Sequence, residues 1–299
     1  MVADKIRLLV IINPISGVGR QKTIEKVLER HLNHSRFDYD IRYTERAGHA
    51  TDIAREATSQ TYDAVIAVGG DGSINEVAKG LIGSNTTIGI IPCGSGNGMA
   101  RHMHLPLTPE KAVEVINKYH TEKIDTIDVN GYSYVSIAGV GFDAFVARRF
   151  RLTKKRGFAG YARIMFSEYP RYKAKEYQMI IDGKECSHKA LMVSVANSSQ
   201  FGFNAAIAPT ASLTDGLLDV CIVEKVPYLE LPITAEMLVL SHHFEKSEHV
   251  EIIQAKEVTI LNNDYRWINY DGEALKLDKE LHFKIVPKSL NVICHGEKE

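Results

Sequence analysis

Ala64-Val65-Ile66-Ala67-Val68-Gly69-Gly70-Asp71-Gly72-Ser73 sets five apolar residues before three glycines that surround one carboxylate, and Ile74–Leu81 then returns apolar residues at helical spacing. A short, wholly apolar, β-branched run that ends in glycine reads as a strand buried on both faces, and the segment behind it as the helix of a βα unit. The glycines permit positive φ and leave no Cβ to fend off a polyphosphate. A carboxylate in that setting does not bind phosphate; Asp71 makes sense as the partner, direct or through water, of the Mg²⁺ that accompanies a nucleotide. Asn75 and Glu76, in the next turn, are placed to orient such a site or simply to be solvated. Taken alone, the stretch also fits a tight turn with an N-capping Asp.

The design recurs on either side. Thr87–Ile91 is a second apolar run, followed by Pro92-Cys93-Gly94-Ser95-Gly96-Asn97-Gly98 and a helical pattern at Gly98–Met103. There Ser95 and Asn97 can hydrogen-bond phosphate or sugar, with Arg101 one helical turn on. Upstream, the apolar run Arg7–Asn13 leads into Asn13-Pro14-Ile15-Ser16-Gly17-Val18-Gly19-Arg20 and then a helix within Gln21–Leu32. This loop matches neither the Walker A spacing nor G-x-G-x-x-G, and on its own a plain βα turn fits as well as a phosphate cradle. Phe37, Tyr39, Ile41 and Tyr43 alternate with polar residues as a strand, and Ala50–Thr58 reads as a helix. Strands alternating with helices imply a parallel sheet, in which ligands bind beyond the carboxyl ends. The segments after Ile12, Val68 and Ile91 therefore converge, and together they point to a nucleotide or polyphosphate site.

From about Lys123 the period changes. Tyr132–Ala138, Tyr177–Ile181, Ala190–Ala196, Leu218–Val223, Val258–Leu261 and His282–Val286 read as strands, with hairpin chemistry at Asp182-Gly183 and Asp271-Gly272. A mostly antiparallel second domain is expected beyond a boundary near residue 125. The 299 residues suit about two domains, and 44% hydrophobic with 24% charged residues excludes wholesale disorder or a coiled-coil rod. The 36 Lys and Arg against 37 Asp and Glu leave a net charge of −1, so no global attraction to nucleic acid or anionic membrane is expected. Cys93, Cys186, Cys221 and Cys294 are scattered without a C-x-x-C pair, which favours reduced thiols. No signal peptide and no membrane span is visible, so a cytoplasmic protein is expected.

These pieces resemble the diacylglycerol kinase catalytic-domain superfamily, which includes bacterial soluble lipid kinases and sphingosine kinases and is more distantly similar to NAD kinases and 6-phosphofructokinases. The resemblance rests on Asn13-Pro14-x-Ser16-Gly17, Thr44 with Gly48-His49-Ala50, Gly69 through Val77, and Pro92-x-Gly94-Ser95-Gly96-Asn97. It continues in Leu213-Thr214-Asp215-Gly216-Leu217-Leu218-Asp219 and Asp271-Gly272-Glu273. It implies an α/β N-terminal domain with a parallel sheet, like that of phosphofructokinase and NAD kinase, over 1–125. A β-rich, mostly antiparallel, sandwich-like lipid-substrate domain follows over 126–299, with the last residues free to return to the first domain. ATP and Mg²⁺ are the implied cofactors and a lipid hydroxyl the implied acceptor.

Residue by residue, the resemblance assigns nucleotide contacts to Asn13, Ser16, Gly17, Thr44, Gly70, Asp71, Gly72, Ser73, Asn75, Glu76, Gly94, Ser95 and Asn97. Glu273 matches the general base, Asp71 an essential carboxylate and metal partner, and Asp125 a second acid behind it. Ser212, Asp215 and Leu217 match a structural or regulatory Mg²⁺ site, Ser212 and Leu217 through backbone oxygens. Gly98 stands where Asp often follows Asn97, and Ser95 where Thr is common. That form is similar to the sphingosine-kinase version and leaves the acceptor open between diacylglycerol and a sphingoid-type lipid. Without the resemblance, Asp271-Gly272-Glu273 reads as an exposed turn and the Asp215 region as a solvated one. A homodimer is compatible with the family.

The neutral total hides one asymmetry. Arg148–Lys175 holds ten Lys or Arg against Glu168 alone, interleaved with Phe150, Phe158, Tyr161, Phe166, Tyr169 and Tyr172. This suits peripheral contact with an anionic membrane, though a solvated helix face fits as well. No nucleic-acid module accompanies it. Asp143 and Arg101 are candidate lipid-substrate contacts, Asp143 alternatively a helix cap. His242, His243 and His249 read as surface histidines rather than zinc ligands. The rivals are a small-molecule kinase similar to NAD kinase and a catalytically silent nucleotide- or lipid-binding module.

Overall fold

Strand β1 (Ile6–Ile12) lies between β2 (Phe37–Tyr43) and β3 (Ala64–Gly69), and β4 (Thr87–Pro92) continues the sheet beyond β3, all parallel. The computed structural model describes residues 5–15, 23–153 and 158–296, with the side chains of 158 and 159 excepted. The chain divides into two units, residues 1–124 with 288–299, and residues 125–287.

In the first unit every residue of β3 and β4 is buried, as expected of parallel strands covered on both faces. The covering helices are α1 (Ile24–His31), α2 (His49–Thr58), α3 (Asp71–Leu81), the short α4 (Gly98–His102) and α5 (Pro109–Lys118). Helix α3 approaches α2 so closely that a Cβ on Gly80 would stand 2.6 Å from the Ala54 methyl, which is why that position lacks a side chain. Strand β5 (His120–Val129) leads out of this unit.

The second unit begins with β6 (Tyr132–Tyr134), β7 (Ile137–Gly141), α6 (Phe142–Arg151) and α7 (Phe158–Glu168). Strands β8 (Lys175–Ile181), β9 (Lys184–Ala190), β10 (Met192–Ala196) and β11 (Leu218–Val223) follow, then α8 (Leu231–Glu236). Last come β12 (Val250–Ala255), β13 (Glu257–Ile260), β14 (Trp267–Tyr270), β15 (Glu273–Lys276) and β16 (Leu281–Cys294). One antiparallel sheet runs β12-β11-β10-β7-β14-β15; β9, β8, β13 and residues 281–284 of β16 form antiparallel neighbours in another. Tyr134, Val140, Val195, Val220, Phe283 and their neighbours from both sheets share one buried core, so this unit is a sandwich. Residues 288–294 of β16 belong to the first unit, where Val292 pairs with Ile88.

Three expectations need correction. The run Tyr132–Ala138 is not one strand: the Asp271 carboxylate accepts the amides of Val135, Ser136 and Ile137 at 3.2, 3.1 and 2.9 Å, and the ladder breaks there. Ala190–Ala196 is divided at Leu191, where the chain leaves β9 for β10 and so changes sheets. The basic-aromatic stretch spans the end of α6, α7 and the residues up to the start of β8, and its aromatics do not form one free amphipathic face. Phe142 and Tyr172 are buried, and Phe145, Tyr161 and Tyr169 pack around them, while Leu152 and Phe166 remain 77% and 71% exposed. Lys154, Lys155 and Arg156 lie outside the described residues.

Candidate functional site

The four parallel strand ends of the first unit gather the predicted nucleotide residues. Thr44 is buried and its amide donates to the Ile12 carbonyl at 3.0 Å, joining the ends of β2 and β1. Asn13 donates from its amide nitrogen to the Ser73 hydroxyl at 3.2 Å, joining the first loop to the start of α3. The β3 and β4 loops touch backbone to backbone. A Cβ on Gly94 would lie 2.4 Å from the Gly70 Cα, so only glycine fits there, and one on Gly70 would lie 3.1 Å from the Gly94 Cα, a milder crowding. Asp71 begins α3 and reaches across to α4, accepting the Met99 amide at 3.4 Å. Burial pushes its carboxyl above the usual range, and the amides of Met99, Gly98 and Asn97 partly offset that. Gly72, half-buried, follows Asp71 in the first turn of α3. Ser16 and Gly17 lie outside the described residues.

Two buried acceptors in this cluster have no partner among the described residues, Asn75 Oδ1 and Asn97 Oδ1. Asn97 sits at φ 51°, its other amide atom donating to the Gly94 carbonyl at 2.9 Å. A backbone cradle that a Cβ would fill, together with orphaned amide oxygens, fits a polyphosphate and the cation and water that attend it. Ser95 is exposed beside it. Glu76 is placed differently from a direct ligand. Its two carboxylate oxygens accept the amides of Gly48 at 3.0 Å and Ala50 at 3.2 Å, so it caps α2 and holds the turn that follows Thr44. Arg101 donates through Nε to the Gly96 carbonyl at 3.1 Å and braces the third loop.

In the second unit Glu273 is the exposed first residue of β15. Asp271 and Gly272 before it have φ of 48° and 86°, the two positive values that a type I′ hairpin turn requires. Asp271 ties the turn to residues 135–137, and Gly272 donates its amide to Asn269 Oδ1 at 3.0 Å. The Glu273 side chain therefore starts from a constrained backbone position and faces solvent.

The other amide atom of Asn269 donates to Asp143 Oδ2 at 3.4 Å, and Asp143 Oδ1 accepts the Ala144 amide at 2.7 Å; Asp143 is buried in the first turn of α6, behind the N-cap Gly141, and does not cap it. Burial pushes its carboxyl up to about 7. The folded state then favours the protonated form, so stability falls as pH climbs from about 4 to 7, by at most about 1.4 kcal/mol per pH unit, and is level above. Asp143→Asn is expected to remove that slope; thermal melts from pH 4.5 to 7.5 that fall equally in both proteins would deny Asp143 this part.

The loop 212–219 also gathers acids. Asp125 Oδ2 accepts the Gly216 amide at 2.8 Å, Asp215 Oδ1 accepts the Leu217 amide at 3.0 Å, and Ser212 Oγ accepts the Thr214 amide at 3.3 Å. Buried Asp219 is pushed up to about 6 by desolvation and then by the charge of Asp215. Asp125 and Asp219 are buried and Asp215 is exposed, but among the described residues the acids and imidazole whose atoms lie close enough to share an ion are Glu230, Glu248 and His249 instead. Sequence reasoning missed Asn269 and the double role of Asp271, since neither stands at a spacing that signals a hairpin brace. It also missed that His249 is half-buried, 2.7 Å from Glu230, rather than a free surface histidine.

Residues 7–129 match the model of the diacylglycerol kinase catalytic domain, and residues 136–294 match the YegS C-terminal NAD kinase beta sandwich-like domain. The diacylglycerol kinase of Staphylococcus haemolyticus is 31% identical over 88% of this chain and 81% of its own length. That of Bacillus subtilis is 29% identical over 89% of each. The crystal structure of a diacylglycerol kinase from Bacillus anthracis shares the fold at a TM-score of 0.73, with 21% identity and 97% of both chains covered.

Proposed function

The chain belongs to the diacylglycerol kinase family and is a lipid kinase, and on that premise we propose that it transfers the γ-phosphoryl group of ATP, with Mg²⁺, to the free hydroxyl of diacylglycerol or a closely related lipid. The observation that carries the reading is the close backbone approach of Gly70 and Gly94 beside Asp71, which leaves no room for a side chain between two adjacent loops.

In this reading the backbone of Gly70–Ser73 and Gly94–Asn97 holds the phosphates, with Asn13, Thr44 and Asn75 completing the nucleotide site. Asp71 orients the metal, while Glu76 and Arg101 keep two of the loops in place. Bound Mg²⁺ supplies positive charge to the β- and γ-phosphoryl oxygens. Glu273 accepts the acceptor hydroxyl's proton as the new oxygen–phosphorus bond forms and the bond to the ADP oxygen breaks. Ser212, Asp215 and Leu217, backed by Asp125 and Asp219, hold a second, structural cation. The lipid is met at a membrane surface; among the described residues no helix is long and apolar enough to cross one.

The test is incubation with γ-labelled ATP, Mg²⁺ and a mixed lipid extract, read by mass spectrometry. A phosphorylated diacylglycerol is expected. Phosphorylation of a dinucleotide in a parallel reaction that supplies one, with no lipid product, would overturn the reading in favour of a small-molecule kinase, and no phosphorylated product in either reaction would favour a silent module.

A further inference from the structure

Strand β14 buries one amide side chain in an otherwise apolar run. Alternation turns Ile268 and Tyr270 into the sandwich core and leaves Asn269, 3% exposed, on the face that α6 covers. Both ends of its amide are engaged: Oδ1 accepts the Gly272 amide at 3.0 Å, and Nδ2 donates to Asp143 Oδ2 at 3.4 Å. We propose that Asn269 is a positioning residue of the phosphoryl transfer, locking the Asp271-Gly272 turn to the buried Asp143 carboxyl so that Glu273 starts from one fixed place. The proposal rests on the reading of Glu273 as the base.

The tip of the turn depends on this link. Asp271 is tied through its carboxylate to residues 135–137, but a Cβ at Gly272 would meet nothing within 4 Å, so packing does not hold that residue. Its bond to Asn269 does, and Glu273 follows it directly in the chain. Asn269 is held in turn from α6. Its partner across the strands is Gly139, where a Cβ would stand 2.7 Å from Asp143 Oδ2 and 2.9 Å from Ser194 Oγ, so the sheet is cleared at the point where the carboxyl reaches in. The ionisable groups that face Asp143 are Tyr161 of α7, Tyr172 and Tyr177 of β8; no Lys or Arg pairs with it among the described residues.

The direction of both bonds is forced. The Gly272 N–H can only donate, so Asn269 must turn its oxygen to the hairpin and its nitrogen to Asp143. A leucine of similar size would serve packing alone without two polar ends to satisfy, and burying an amide costs stability unless both ends find partners.

That polarity supplies the test. In Asp143→Asn the Ala144 amide retains the new oxygen, so the new nitrogen faces the Asn269 nitrogen, donor against donor. Asn269→Asp keeps an acceptor for Gly272 but sets carboxylate against carboxylate, and its defect should deepen as the pH rises and both ionise. Each single variant should lower kcat roughly ten- to a hundredfold with the KM for ATP and for diacylglycerol within about twofold, the scale of a misplaced catalytic group. Combining the two substitutions exchanges donor and acceptor, and should raise kcat roughly tenfold above either single variant. Hydrogen exchange at the Gly272 amide should be slow in the wild type and the combined variant and fast in the singles.

Absence of recovery in the combined variant would overturn the proposal. So would single variants that melt earlier yet keep the wild-type kcat while folded, which would leave Asn269 a purely structural brace, or a raised lipid KM at unchanged kcat, which would make the pair a substrate contact. Glu273→Gln run in parallel separates the two readings: full activity there removes the base and this proposal with it, whereas an inactive Glu273→Gln beside fully active Asn269→Asp overturns the positioning role alone.

Discussion

Glu273→Gln lowers turnover by roughly 10³-fold or more while leaving the affinity for ATP within about twofold, on the scale of a lost general base. The substitution keeps the shape of the side chain and removes only its capacity to take a proton. Nothing that builds the turn depends on that carboxylate: the positive φ values belong to Asp271 and Gly272, the amides of 135–137 are held by Asp271, and Gly272 is held by Asn269. Glu273 is itself exposed, so the variant should melt with the wild type. The proposed nucleotide contacts come from other segments, 13–17, 44, 70–76 and 94–97. Single-turnover phosphorylation of diacylglycerol measured beside calorimetric titration of ATP separates the two quantities. A variant that retains a third of the wild-type rate would remove Glu273 from the chemistry, and one that loses ATP affinity equally would make it a ligand contact instead. Asp271→Ala makes the contrast, because it strips three backbone amides of their acceptor and should lower stability as well as rate.

How legible these features were in the sequence follows from the range over which each interaction acts. The runs at 64–68 and 87–91 could be read because a strand buried on both faces must be apolar throughout, and glycine has few reasons to stand at its end except conformation or close approach. That two such loops would press Gly70 against Gly94 follows from their being neighbours in a parallel sheet, and the sequence implied the neighbourhood but not the contact. Glu76 shows the limit. Its place in a glycine-rich signature suggested a ligand, whereas its oxygens reach back 28 and 26 positions to Gly48 and Ala50, and no local period records that. The same holds for Asp271, which breaks a strand 134 to 136 residues earlier in the chain. The aromatics of 142–172 could be counted but not aimed. Tyr161, Tyr169 and Tyr172 turn inward because α7 packs on α6, leaving Phe166 outside. Strand β9 was missed because Lys184–Ala190 is largely polar, with only its last residue buried.

Gly94→Ala should weaken ATP binding at least tenfold and lower the melting temperature by roughly 3–8 °C, the scale of an overpacked contact. One methyl group would have to occupy a point 2.4 Å from the Gly70 Cα, 2.8 Å from Asn97 Oδ1 and 3.3 Å from the Gly70 amide nitrogen. Two of these three are backbone atoms that no rotamer change can move, so the loops must part. Parting displaces Asp71 from the Met99 amide, the bond that joins the two halves of the proposed phosphate cradle. Gly70→Ala is a graded companion: its Cβ would meet the Gly94 Cα at 3.1 Å, a crowding of a few tenths of an ångström, so a smaller loss is expected. Ser95→Ala, at an exposed hydroxyl in the same loop, should leave the melting temperature unchanged and so reports only on a lost hydrogen bond to the ligand. Titrations of ATP and of ADP across the three variants should therefore rank Gly94→Ala well above Gly70→Ala. Wild-type affinity in Gly94→Ala would mean that the nucleotide is held elsewhere, and the close approach of the two loops would then serve only the packing of β3 against β4.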